Sequence, residues 1–166
     1  MRINRPWLIA IVLVCSLALF PTASFAAISG RIVENVGVKT AKLGMLDSTA
    51  AHRIGGSYKR SKDSSYAGQT VYVYKFGKKS GGKFGLEMYS KGNRKVFTFV
   101  INSSALVTRN RTHVGTGEST LVSRYGSKLT KTVGPVYTDY FMGTRSGRTD
   151  FYVRNGKVHH IVISRY

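Results

Sequence analysis

The sequence predicts an α+β fold: two tandem repeats, each a short helix followed by an antiparallel β-meander, with the helices packed on one face of the sheet. A thirteen-residue phrase that occurs twice, strand-like runs separated by glycine-bearing turns, and a matched hairpin dipeptide carry this expectation. Leu43-Gly44-Met45-Leu46-Asp47-Ser48-Thr49-Ala50-Ala51-His52-Arg53-Ile54-Gly55 returns 71 positions later as Val114 to Gly126, sharing the skeleton aliphatic-Gly-x-x-acid-Ser-Thr-x-x-x-Arg-x-Gly. Self-similarity at a fixed period marks two copies of one supersecondary unit. Within the phrase, the acidic and hydroxyl residues suit a helix start. Apolar positions follow at helical spacing (Ala50, Ala51, Ile54; Leu121, Val122, Tyr125), and the closing glycine permits a left-handed exit.

The first 26 residues read as an export signal. Arg2 and Arg5 form a positive leader, Trp7 to Phe20 is apolar, and Ser24-Phe25-Ala26 is a small-x-small cleavage pattern. Cleavage after Ala26 places the mature chain outside the cytoplasm, secreted, periplasmic or at the cell surface. It removes Cys15, the one cysteine, and leaves a disulfide-free product without thiolate metal sites or thiol nucleophiles. The expected units are residues 27–107 and 108–166, sharing one core. Removing Arg2 and Arg5 lowers the formal charge from +19 to +17. Such a field draws acidic proteins and polyanions.

Residues 28–43 should form a leading strand or arm (Ile28, Ile32, Val36, Val38), and 57–68, rich in lysine and polar residues, a mobile loop. Three strands follow. Thr70 to Phe76 alternates valine with aromatics, Lys83 to Tyr89 puts Phe84, Leu86 and Met88 on one face, and Lys95 to Ile101 puts Phe97, Phe99 and Ile101 on one face. In the second unit the strands are Val136 to Met142, Arg148 to Arg154 and Lys157 to Ser164. The last two are joined at Asn155-Gly156, a strong two-residue hairpin signal. Asn93-Arg94-Lys95-Val96 matches Asn155-Gly156-Lys157-Val158 at an offset of 62, so the first unit carries about nine extra residues between 57 and 93.

These features resemble the repeat of the beta-lactamase-inhibitor-protein-like fold, which is similar to small outer-membrane-assembly lipoproteins. Val38 to Met45, the helix ending at Ile54-Gly55 and the meander carry the resemblance in the first unit. Thr108 to Gly115, Tyr125-Gly126 and Asn155-Gly156-Lys157-Val158 carry it in the second. Leu46 and Gly117 stand where such repeats place a capping Ser or Thr, and Arg111 where a linker glycine is usual. The resemblance implies an exported, inhibitor-like, non-catalytic binder that uses a broad sheet face.

Other chemistry is poorly represented. Gly77-Lys78-Lys79-Ser80-Gly81-Gly82-Lys83 fits the spacing of a phosphate-binding loop, but Phe84 replaces the metal-holding hydroxyl and the setting is strand-turn-strand. His159 and His160 are adjacent on a strand and should point to opposite faces, so no shared metal is expected; His159 falls at the position of Phe97. The mature chain has seven acids, with Asp47 and Glu118 assigned to helix starts, and no serine in a nucleophile elbow. Hence no enzyme activity, metal or cofactor is expected. The sequons at Asn102 and Asn110 suggest exposed loops only.

What remains is aromatic and basic. Tyrosines in strands, interleaved with Lys and Arg on a face not covered by helices, have the composition of a recognition surface. The expected partner-binding residues are Tyr72, Tyr74, Lys78, Lys79, Lys83, Tyr137, Tyr152 and Arg154. The partner is an acidic protein or, alternatively, an envelope polyanion such as teichoic acid, acidic glycan, lipid headgroup or nucleic acid.

Overall fold

The computed structural model describes residues 28–63, 69–78 and 81–166. The expected signal segment, together with Lys79, therefore lies outside the described residues. The described residues are mostly β, with two α-helices among them. A minor sheet gathers three short strands from the start, β1 (Gly30–Val33), β2 (Gly37–Val38) and β3 (Ala41–Lys42), with the later β8 (Leu106–Thr108), in the order β3-β2-β1-β8. Helix α1 (Asp47–Ile54) is followed by β4 (Tyr58–Asp63), β5 (Val71–Phe76), β6 (Leu86–Lys91) and β7 (Val96–Ile101). Helix α2 (Glu118–Tyr125) and a single 3-10 turn (Gly126–Lys128) are followed by β9 (Thr130–Val133), β10 (Thr138–Thr144), β11 (Gly147–Arg154) and β12 (Lys157–Ser164). These eight strands form one antiparallel sheet in the order β4-β5-β6-β7-β12-β11-β10-β9. Each meander thus runs from an outer edge to the middle, where Ile101, Val100, Phe99 and Thr98 oppose Ile161, Val162, Ile163 and Ser164.

One face of this sheet packs on the helices. Tyr74, Phe76, Leu86, Met88, Phe99, Ile101, Phe151, Val153, Ile161 and Ile163 meet Ala50, Ala51 and Ile54 of α1 and Leu121 and Tyr125 of α2 in a single core. Burial of roughly 1.5–3 kcal/mol of apolar transfer energy per large side chain makes this the main support of the fold.

Both helix starts are fastened to a hairpin by the same bonds. Gly44 N–H donates to the Val96 carbonyl, Val96 N–H to Met45, and Asp47 N–H to Arg94. In the other half Gly115 N–H donates to Val158, Val158 N–H to Thr116, and Glu118 N–H to Gly156. The arginine of the doubled phrase has a shared task as well: Arg53 Nη1 donates to the Thr40 carbonyl (3.3 Å) and Arg124 Nη1 to the Arg111 carbonyl (2.8 Å). Neither helix has a side-chain cap from the residue before it, Leu46 or Gly117. Gly55 and Gly126 end the helices at φ 73° and 54°, and Arg111 holds the glycine-like φ of 59°.

Three expectations are corrected. Residues 58–63 are not a loop but the edge strand β4, and Thr130–Val133 supplies the matching edge strand β9; every residue of both is exposed. Neither shows the alternation of a half-buried strand, because nothing covers an edge. Phe97 does not share a face with Phe99 and Ile101. A bulge opposite Tyr89/Ser90 adds one residue to β7 and turns Phe97 to the far side, against Val71, Val73 and Tyr89. Finally, the leading arm is three strands rather than one. The extra length of the first half falls in the connections 64–70 and 77–85, which correspond to 134–137 and 145–146 in the second.

Candidate recognition surface

The sheet face turned away from the helices is set by strand alternation. One cross-strand row runs Lys59, Lys75, Glu87, Val100, Val162, Asp150, Phe141, Thr130, and a neighbouring one runs Ser61, Val73, Tyr89, Thr98, Ser164, Arg148, Gly143. In the first half this face carries the small cluster of Val71, Val73, Tyr89 and Phe97. In the second half the corresponding area is polar and aromatic.

Tyr72 and Tyr74 are not on it. Alternation from the buried Phe76 places both on the helix side, where Tyr74 is 2% exposed. Arg94 Nη2 donates to the Tyr74 hydroxyl (3.2 Å), and the guanidinium groups of Arg60 and Arg94 lie over the Tyr72 ring at 4.3 and 5.1 Å. These tyrosines stabilise the first half rather than facing a partner.

Tyr137, Tyr152 and Arg154 do come together. The Tyr137 ring sits edge-on to Tyr152 (6.0 Å) and His160 (5.4 Å), and 5.2 Å from His159, with the Arg154 guanidinium 6.0 Å away. Tyr152 stacks on His160 at 4.5 Å with the rings 8° apart. The expectation that His159 and His160 point to opposite faces fails. β12 has a bulge opposite Tyr152/Val153, and this brings His159 Nδ1 and His160 Nδ1 to 2.9 Å. Burial holds His159 below its ordinary pKa, with Lys83 and Arg154 adding to the effect. Burial, then His159 and Lys83, push His160 down to about 4. At neutral pH the pair is therefore uncharged, and one Nδ1–H donates to the other nitrogen. Among the described residues no group of three or more His, Cys, Asp or Glu has a metal-holding arrangement.

Lys78 and Lys83 enter from the long connection between β5 and β6. They line a groove of about 350 Å³ with Ile28, Phe84, Asn102, Ser104 and His159. Beside the aromatic cluster, the hairpin tip between β9 and β10 leaves Val133 73% and Val136 57% exposed. Sequence reasoning passed over this pair, although Val133-Gly134-Pro135-Val136 is a turn flanked by apolar residues.

Next to the cluster lies a carboxyl pair that the sequence does not announce. Arg148 Nε donates to Asp150 Oδ1 (2.6 Å) and Nη2 to Asp139 Oδ2 (3.0 Å), while its guanidinium caps the Phe141 ring at 3.6 Å. Asp139 Oδ1 and Asp150 Oδ2 are buried without another partner among the described residues. Burial and the neighbouring Asp150 raise Asp139 to about 6. Carboxyl pairs with separated pKa values serve acid–base catalysis elsewhere. Here Arg148 engages one oxygen of each carboxyl, and the other two oxygens are buried.

No protein-family model matches the chain, and no curated protein does. Among solved structures it is similar to the uncharacterized protein yfeY from Escherichia coli, with 16% identity and a TM-score of 0.53 over 84% of this chain and 99% of that one. It is also similar to an extracellular protein containing a SCP domain from Bacillus anthracis str. Ames, with 10% identity and a TM-score of 0.51 over 74% of this chain but only 44% of that one. Likeness at such identities is a likeness of fold.

Proposed function

We propose that the chain is an exported, non-catalytic, inhibitor-like binding module that recognises an acidic protein through the sheet face opposite its helices. The observation that carries this reading is the Tyr137–Tyr152–His159–His160 cluster, flanked by Lys78, Lys83 and Arg154. None of these three cations makes an ion pair among the described residues. Rigid aromatics beside unneutralised cations suit a partner that offers apolar contact and negative charge. Export is supported by the leader sequence at residues 1–26, and no helix among the described residues is long and apolar enough to cross a membrane.

We also read the two halves as tandem copies of the beta-lactamase-inhibitor-protein-like unit. The paired helix-start bonds and the Arg53 and Arg124 contacts support this. A polyanion is the second reading, favoured by the same free cations.

The discriminating experiment is capture from cell-envelope extract at low and high salt, using the wild type, Y137A/Y152A and K78A/K83A. A protein partner is lost with the tyrosine pair, by about 2 kcal/mol at a hot spot, and tolerates salt. Capture that survives Y137A/Y152A but disappears with K78A/K83A or salt gives the polyanion reading instead.

A further inference from the structure

We propose that the groove between the β5–β6 and β7–β8 connections is an oxyanion-binding site, with Lys83 and Lys78 supplying charge, Ser104 a hydroxyl donor, and His159 a proton-linked contact. The inference goes beyond the partner reading, since it concerns one groove and one chemical group. The groove's about 350 Å³ admit a tetrahedral or carboxylate anion on a larger body, and Ile28 and Phe84 give it an apolar side. Two of the polar groups that line it are already used. Asn102 Nδ2 donates to the Phe84 carbonyl (3.1 Å), and Ser103 Oγ to the Ile28 carbonyl (3.2 Å). They brace the walls, while the Lys78 and Lys83 ammonium groups and the Ser104 hydroxyl have no partner among the described residues. Unneutralised cations around a half-enclosed space lower the cost of bringing in an anion and raise the cost of a cation.

The histidine pair couples this space to protons. Lys83 and Arg154 oppose a charge on His159, and Lys83 and His159 oppose one on His160. An anion seated beside them cancels that opposition, so binding takes up a proton and tightens as pH falls. The groups facing the pair are Lys83 from the long connection, Arg154 and Tyr152 from β11, and Tyr137 before β10. The Asp139/Asp150 pair is engaged by Arg148.

The test is an NMR titration of the histidine ring signals of the full chain with sodium sulfate at constant ionic strength. Sulfate stays a dianion from pH 4 to 8, so any pH dependence belongs to the protein. The expected result is a saturable shift of His159, an apparent His159 pKa raised by about one unit in saturating sulfate, and about tenfold weaker binding in K83A. K83R should restore it, and K91A/K95A, at the other end of the sheet, should leave it unchanged. A parallel titration with a short glutamate peptide separates a partner's carboxylates from a free tetrahedral anion. Saturation by either is support, and the tighter one names the source. No saturable His159 shift with either probe overturns the site, as does equal weakening in K83A and K91A/K95A, which would reduce the effect to general counter-ion screening. Loss of capture by Y137A/Y152A bears on the partner reading and leaves this titration untouched.

Discussion

Replacing Asp47 by alanine removes a carboxylate that is 1% exposed and takes hydrogen bonds from three places. Ser48 N–H donates to Oδ1 (2.7 Å), while Ser90 Oγ (2.9 Å) and Arg94 Nε (2.5 Å) donate to Oδ2. Burial alone would raise the Asp47 pKa, but the bonds from Arg94 and Ser90, with the nearby Tyr74 hydroxyl, outweigh it and hold the carboxyl below its ordinary value. Each bond to a charged group contributes roughly 1.5–3 kcal/mol net. Removing one partner of a buried pair costs about 3–5 kcal/mol. Arg94 is 42% exposed and can turn to water, whereas Ser90 is fully buried and cannot. We therefore expect D47A to cost about 3 kcal/mol. Glu118 occupies the same place in the doubled phrase but is a third exposed, accepts from the Tyr140 hydroxyl (2.5 Å), and has Lys131 Nζ at 3.8 Å. Being partly solvated, it should cost about 1 kcal/mol on change to alanine. Urea unfolding of D47A, E118A and the wild type at pH 7 measures both. The pH dependence has a fixed sign. A depressed folded-state pKa gives stability that is present above the unfolded value near 4 and is lost as pH falls through the folded one, so the wild type and D47A should converge in acid. Equal losses in the two variants, or a D47A loss under 1 kcal/mol, would refute the reasoning.

Further outcomes follow from other positions. G55A and G126A should each cost about 1 kcal/mol or more, because both residues hold positive φ while the space a Cβ would enter is empty, so the penalty is conformational alone; melting temperatures read it. D139N, which copies the protonated acid, should raise stability at pH 7.5 and make no gain at pH 4.5. A folded-state pKa raised to about 6 gives stability that is present in acid and lost as pH rises through it; a flat difference between the two pH values would argue against the carboxyl pair. R94G should test a trade. Arg94 holds φ 63° where Gly156 holds 68°, so glycine relieves strain but frees Asp47, and we expect a net loss in urea unfolding, whereas a gain would mean strain outweighs the ion pair.

Much of the fold could be read in advance because its signals are local. The doubled phrase marks both helices, Asn155-Gly156 marks a hairpin, and alternation marks the inner strands. Edge strands β4 and β9 escaped because, solvated throughout, they carry no hydrophobic period. Alternation also fails at a bulge, which leaves no mark in composition, so period two puts Phe97 and His159 on the wrong face. Tyr72 and Tyr74 show the other weak point. A strand's two faces are told apart by what packs against them, and valine and tyrosine alternate in β5 with either set suited to the core. Asp139, Arg148 and Asp150 meet only because β10 and β11 pair with Asp139 opposite Tyr152 and Phe141 opposite Asp150. Spacing in one strand cannot give that.

The central seam has a property of symmetry. Under the offset of 62, Phe99 corresponds to Ile161 and Ile101 to Ile163, and across the seam Ile101 faces Ile161 while Phe99 faces Ile163. Val100 faces its own counterpart, Val162. This is the isologous register that two identical subunits make about a two-fold axis, and here the axis emerges on the face opposite the helices, between the two valines. A single unit of this kind could build the same eight-stranded sheet as a homodimer. The two sides of the axis carry different surfaces: valine, tyrosine and phenylalanine at the bulge on one, and tyrosine, histidine and charge over the matching area of the other.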